Sequence, residues 1–224
     1  MDESPNPTGG LPDPWLRPRS AWFGGAVVVL VVTTALALRD GLCPGEEAAF
    51  AAFNELPRGL GLPLEVVMPL GTSIGALVLV GVAVGLRRLR LALAAFLAWA
   101  LGRAASAALK AWVDRPRPPA LLPDAILRQR EPFDQAFPSA HTTGAVALAL
   151  VAGWAFPRLR WPALGVAVLV ALARMYVGVH LPLELVGGAA LGLLAGLAAT
   201  TAVDRWWPTA RIDVDDAPAS RSSE

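Results

Sequence analysis

The chain has 224 residues, 55% of them apolar and only 17% charged, against roughly 25% charged in an average soluble protein. A formal net charge of +1 excludes a general nucleic-acid binder, which would carry a large basic excess. The single cysteine, Cys43, excludes an internal disulfide, and the length suits one domain or a single membrane bundle.

Residues 1–20 are rich in Pro, Gly and acids, and are expected to form a disordered tail. Residues 21–203 read as an all-α bundle of six transmembrane helices, each close to the ~20 apolar residues that span a bilayer. The expected spans are Ala21–Leu38, Val66–Leu86, Leu91–Leu109, Ala136–Phe156, Pro162–Val179 and Leu183–Val203. Residues 204–224 follow as an acidic, disordered tail. Ala35-Leu36-Ala37 has the small-residue pattern of a signal-peptidase site. The apolar run is long for a signal segment and follows a long polar tail, so an uncleaved first span is expected. Between the first two spans, Glu46 to Leu56 is amphipathic, and is expected to lie along the membrane interface.

Six spans put both termini on one side. Arg17 and Arg19, Arg87, Arg88 and Arg90, and Arg158 and Arg160 all fall on that side, which the positive-inside rule makes cytoplasmic. Trp22, Trp154, Trp161, Trp206 and Trp207 sit near the same ends, as an aromatic belt would. The protein is therefore expected in the plasma membrane, with the opposite helix ends facing outward. The loop 111–135 adds Arg115, Arg128 and Arg130 to that outer face, against the charge bias. Small residues recur at four-residue spacing, as Gly71/Gly75, Gly81/Gly85 and Gly188/Gly192/Gly196. They are read as flat faces for packing within one bundle rather than for dimerisation; the oligomeric state is left open. No GxxxxGK[ST] or GxGxxG loop supports nucleotide binding.

The outer ends gather the rarest chemistry in the chain. His141 and His180 are the only histidines, and Lys110 is the only lysine beside eighteen arginines. Three segments carry them: Lys110-x6-Arg117-Pro118, Pro138-Ser139-Ala140-His141, and Arg174-x5-His180-x3-Glu184. Each alone has a plain reading. Lys110 and Arg117 can snorkel to headgroups, Ser139 can simply cap a helix, and Glu184 is a first-turn acid after Pro182 at N1. Arg174 is harder to dismiss, because a charge inside an apolar run costs roughly 2.5–3.5 kcal/mol even on the lenient insertion scale.

In order and spacing the three segments resemble the K-x6-RP, PSGH and SR-x5-H-x3-D motifs of the type 2 phosphatidic acid phosphatase (PAP2) superfamily. The motifs cover 110–184, and the six-span plan resembles the family's membrane branch over about 21–203. Three positions depart from the pattern: Ala140 replaces Gly, Ala173 replaces Ser, and Glu184 replaces Asp. The resemblance implies an integral-membrane phosphatase of a lipid phosphate or diphosphate; polyprenyl diphosphate is the first choice, with phosphatidic acid, phosphatidylglycerol phosphate and a prenyl-phosphosugar left open because no residue identifies the tail. It implies His180 as nucleophile forming a phosphohistidine, Glu184 orienting it, and His141 as acid and base. Lys110, Arg117, Ser139, Ala140 and Arg174 would bind the phosphoryl group, and no metal or other cofactor is implied. The partners are then the membrane lipid phosphate and the bilayer, not nucleic acid.

A non-catalytic lipid-phosphate binder, keeping the cations without turnover, is the main alternative, supported by Ala173 and Glu184. A two-histidine, one-carboxylate metal site at His141, His180 and Glu184 is a third reading, disfavoured by the crowd of cations. Arg103, seven residues before Lys110 on nearly the same helix face, is either a supporting residue of the site or a charge that bonds carbonyls inside the bundle.

Overall fold

The computed structural model describes residues 19–130 and 135–207. The expected tails thus lie outside the described residues, except that 19–20 open the first helix and 204–206 close the last. Among the described residues every regular element is helical. The helices are α1 (Arg19–Ala37), α2 (Glu46–Asn54), α3 (Gly61–Val67), α4 (Ser73–Gly85), α5 (Leu89–Val113), α6 (Pro118–Leu121), α7 (Ala140–Ala155), α8 (Arg160–Tyr176) and α9 (Pro182–Trp206).

Among the described residues, four segments are long and apolar enough to cross a membrane: Arg19–Ala37, Leu89–Leu121, Pro157–Tyr176 and Pro182–Trp206. The expected second span, Val66–Leu86, is not one straight helix. It breaks at Thr72, and the halves Arg58–Gly71 and Ser73–Gly85 meet at 66°. Pro69 falls in a 3-10 turn over Met68–Gly71, and Thr72 leaves helical geometry to cap α4 by accepting from the Ile74 amide at 3.1 Å. Counting that bent pair as one span gives five. The fourth expected span, Ala136–Phe156, forms α7 with 16 residues, about 24 Å at ~1.5 Å per residue, short of the ~30 Å hydrocarbon core.

α9 is the axis of the bundle, packed against α1, α5 and α7, while α8 leans on α7 and α4 on α5. The shared core is rich in alanine, from Ala94, Ala95 and Ala98 of α5 through Ala147 of α7 to Ala195 and Ala199 of α9. The Gly188/Gly192/Gly196 stripe works as expected. A Cβ on Gly188 would stand 2.7 Å from the Ser139 carbonyl oxygen, and one on Gly192 would stand 2.4 Å from that of Thr143. Gly81 and Gly85 by contrast face open space. Outside, Val28, Val31, Leu62, Val66 and Leu77 are well exposed, the apolar exterior that a lipid-facing bundle presents.

α2 does more than rest at an interface. It packs against α8 and α9, and it buries Glu46, Phe50 and Asn54 together.

Candidate active site

The motif-bearing helix ends meet at one end of the bundle. α5 stops just past Lys110, where Asp114 takes the left-handed conformation (φ 50°) as C-cap. Asp is among the few residues that tolerate that region. The chain then turns through Arg115-Pro116-Arg117 into α6, with Pro118 buried at its N1 position. Lys110 Nζ and Arg117 Nη2 both donate to the Gln135 carbonyl, the latter at 3.3 Å. Ala136 N donates to the Arg115 carbonyl at 2.9 Å, which ties the two strands of this loop together.

Ser139 caps α7 after a cis Phe137–Pro138 peptide. Its hydroxyl accepts from Thr142 N at 3.5 Å and Thr142 Oγ1 at 3.1 Å. Its own amide donates to the Glu184 carbonyl at 3.0 Å, so the starts of α7 and α9 are joined directly. Ala140 and His141 form the first turn of α7 and are half-buried. The free amides of such a turn are suited to an anion.

The third segment owes its spacing to two helix-end devices. α8 closes with Gly178 at φ 84°. Gly178 N donates to Met175 O at 2.9 Å and Val179 N to Arg174 O at 3.2 Å, the bond pair of a Schellman motif. Arg174 is therefore held one turn back from the residue before His180. A side chain at 178 would be excluded twice, by the positive φ and by the Ile126 carbonyl oxygen 2.4 Å from its Cβ. α9 then opens with Leu181 as N-cap, Pro182 at N1 and Glu184 at N3. Glu184 Oε2 accepts from Leu181 N at 3.0 Å and contacts His180 Nδ1 at 2.8 Å. Reaching back from N3 to the cap amide is what a glutamate does in a capping box. The longer side chain at 184 thus keeps contact with the ring without displacing the helix.

The opposite edge of that ring, Nε2, stands 3.5 Å from Arg117 Nη1, which itself donates to Val179 O at 2.8 Å. With Nδ1–H donating to the carboxylate, the Nε2 lone pair is left facing Arg117. His180 is 2% exposed, and its pKa is pushed well below the usual imidazole value, first by burial and then by the Arg174, Arg117 and Lys110 charges. The same three cations, together with Arg103, act electrostatically on His141. Lys110, Arg117 and Arg174 are all buried. Arg174 Nη1 donates to Gln129 Oε1 at 3.3 Å and approaches Met68 Sδ at 3.5 Å. All the expected site residues are thus gathered, with two imidazoles in unlike settings, one buried and clamped, the other half-open.

Arg103 is exposed on α5, so it does not bond carbonyls inside the bundle; it is near enough to His141 for their charges to interact. Four further residues were not legible as parts of the site. Arg115 and Arg128, read from sequence as outer-face charges, point inward. Arg115 Nη2 pairs with Glu46 at 2.7 Å, and its Nε lies 3.3 Å from Glu184 Oε1. Arg128 donates to the carbonyls of Asn54, Tyr176 and Leu56 and stacks 4.3 Å over the Tyr176 ring. Asn54 accepts from Ile126 N at 2.8 Å and donates to Ile126 O and Met175 O at 2.9 and 3.1 Å. α2 and the long loop are thereby strapped across the end of α8. The only signal for these in the sequence is that Glu46 and Asn54 share a short helix.

Comparison with known proteins identifies the family and the fold. The PAP2 superfamily matches residues 89–208, more than half of the chain. Undecaprenyl-diphosphatase BcrC of Bacillus subtilis (strain 168) is 32% identical over 63 residues, 28% of this chain and 33% of its own length. An undecaprenyl-diphosphatase of Sulfolobus acidocaldarius is 43% identical over 72 residues, 30% of this chain and 32% of its own length. Each match therefore spans about a third of the relative. Among solved structures, Aquifex aeolicus LpxE aligns with a TM-score of 0.65 at 25% identity, over 70% of this chain and 94% of that one. The transmembrane PAP2 type phosphatidylglycerolphosphate phosphatase from Bacillus subtilis aligns with a TM-score of 0.63 at 21% identity, over 86% of this chain and 98% of that one.

Proposed function

This chain belongs to the PAP2 superfamily, and from that premise we propose that it is an integral-membrane phosphatase of lipid phosphates or diphosphates, with a polyprenyl diphosphate as preferred substrate. The observation that carries the reading is the His180 ring, held by Glu184 at Nδ1 with Nε2 turned toward Arg117. A ring so held, and kept neutral by burial, is a ready nucleophile. The preference for a polyprenyl diphosphate draws on the names of the two undecaprenyl-diphosphatases that match short segments of the chain.

His180 Nε2 attacks the terminal phosphorus in line, and as a nitrogen–phosphorus bond forms the bond from that phosphorus to the leaving oxygen breaks, the bridging oxygen of a diphosphate or the lipid oxygen of a monophosphate. His141 gives its proton to the leaving oxygen. It then takes a proton from the water that attacks the phosphohistidine, which frees inorganic phosphate and restores His180. Lys110, Arg117 and Arg174, with Ser139 and the first amides of α7 from Ala140 onward, hold the three phosphoryl oxygens. Charge spreads over those oxygens in the transition state, so preplaced donors in a dry site supply most of the acceleration. No step calls for a metal.

We place the site at the extracytoplasmic face of a six-span bundle in the plasma membrane, with both termini cytoplasmic. Arg19, Arg87, Arg88, Arg90, Arg158 and Arg160 lie at the helix ends away from the site, which supports this orientation. A substrate whose tail stays in lipid fits a site among helix ends.

The test is phosphate release by detergent-purified protein from undecaprenyl diphosphate and from phosphatidic acid, in EDTA, beside His180→Ala. Release that survives chelation and vanishes in the variant is expected. A folded protein that binds either lipid without releasing phosphate would instead be the non-catalytic binder.

A further inference from the structure

We propose that Glu46 and Arg115 are positioning residues, a buried ion pair that holds the Glu184 carboxylate on His180; the proposal rests on the reading of His180 as nucleophile. Arg115 occupies a free position inside the first motif's six-residue gap, and Glu46 lies outside all three motifs.

Glu184 uses one oxygen twice and the other hardly at all. Oε2 serves both His180 Nδ1 and Leu181 N, whereas Oε1 has no hydrogen bond. The charge beside Oε1 is Arg115, whose Nε stands 3.3 Å away, outside hydrogen-bonding alignment. The side chains of Arg115 and Glu184 are 2% and 0% exposed. At that depth an unbalanced carboxylate is costly, and the guanidinium offsets it.

A guanidinium also competes for a carboxylate, because its natural contact is a two-pronged one. Arg115 has Nε and Nη1 without hydrogen bonds, so it has donors to spare for Glu184. Glu46 restrains it. Glu46 Oε2 takes Arg115 Nη2 at 2.7 Å and Cys43 N at 2.8 Å, while Oε1 takes Leu183 N at 3.3 Å. Glu46 is thereby anchored to the backbone on both sides of the site, and it commits one prong of Arg115 away from Glu184. Released from Glu46, Arg115 would close on Glu184 with both prongs and draw it off His180 Nδ1. Glu46 thus sets the balance between the Arg115–Glu184 and Glu184–His180 contacts, from a helix that carries no part of the family signature.

Glu46→Gln and Arg115→Lys test this in two ways. On undecaprenyl diphosphate or phosphatidic acid, kcat should fall about tenfold to a hundredfold, the range seen for partners that orient a ligating histidine, with KM within about twofold. Combined with Glu184→Gln, Glu46→Gln should add no further loss, because the group it positions is already gone. Independent of turnover, the imidazole nitrogen NMR spectrum of the detergent-solubilised protein contains only two histidines, and His141→Gln assigns them. His180 should be the Nδ1–H tautomer in the parent and a mixture of tautomers in Glu46→Gln. An unchanged tautomer, or the same fold-loss of kcat with and without Glu184, would overturn the proposal. A parent that turns over neither lipid while the tautomer shifts would overturn the phosphatase reading and leave the positioning role standing.

Discussion

The two ends of this bundle use the same residue type to opposite purposes. At the end formed by the close of α5, the start of α7 and the α8–α9 turn, Arg115, Arg117 and Arg174 are 3–5% exposed and bound to carbonyls, a carboxylate or a thioether. At the far end, Arg19 and Arg90 share Asp204 at 2.8 Å each, with side-chain exposures of 48%, 23% and 36%. Arg88 and Arg90 lie over the Phe156 and Trp154 rings at 4.7 and 5.6 Å. Charge pairs in water are worth about 0–1 kcal/mol, whereas a buried charge must have partners or a ligand. Arginine count does not distinguish the ends; burial and the chemistry facing each guanidinium do.

Four substitutions or conditions sharpen that contrast. At the site end, His141→Gln should lower turnover by ~10²–10⁴, the usual worth of a placed acid and base, with lipid binding retained; equal kcat would remove His141 from the chemistry. Gly178→Ala should be nearly as disruptive through a different route. It breaks the α8 terminus that spaces Arg174 from His180, with an expected loss of about 1–3 kcal/mol in stability and a drop in activity. A thermal unfolding curve unchanged from the parent would contradict the role given to that turn.

The pH profile should show a smaller effect. His180 is held below the ordinary imidazole pKa of 6.5, so its ring stays unprotonated at and somewhat below that pH. Single-turnover transfer to the enzyme should therefore not decline as pH falls through 6.5, and loss should set in only at more acidic values. A limb at 6.5 or above that His180 controls would show the burial argument to be wrong. Least affected should be Asp204→Ala at the far end. It should shift stability by less than about 1 kcal/mol and leave kcat unchanged; a large loss of activity would mean the two ends are coupled.

What could be read from sequence follows the range of the interactions. The intervals within each motif are local geometry. Seven residues from Lys110 to Arg117 cover a helix end and a Pro-stiffened turn, and Arg174 to His180 is a Schellman terminus. Ser139 and Glu184 are cap positions. The six apolar segments were likewise legible as helical, with their ends displaced by a few residues, but one of them is bent at Thr72 and another, α7, is shorter than a span. The break in the second segment had its signal too, in Pro69, Gly71 and Thr72. A hydropathy reading passes over that signal because all its neighbours are apolar. Gly71 and Gly144 show why the break sits there: a Cβ on Gly71 would stand 2.3 Å from the His141 carbonyl oxygen, and one on Gly144 would stand 2.2 Å from that of Gly71.

Glu46, Asn54, Arg115 and Arg128 were beyond reach for the opposite reason. Apart from the Cys43 amide on Glu46, the side-chain partners described for them lie tens of residues away or more, so nothing in their own neighbourhood separates a loop arginine in water from one buried against two glutamates. Arg115 and Arg117 are two residues apart in the same turn, yet one serves Glu46 and Glu184 while the other faces His180.

The most direct test of the central claim is to trap the covalent intermediate. Protein quenched in alkali within one turnover of a lipid phosphate radiolabelled at phosphorus should carry label in a bond that acid breaks and alkali spares, located on the His180 peptide. It should be absent in His180→Ala. Label on another residue, or phosphate release at the parental rate by His180→Ala, would contradict the account.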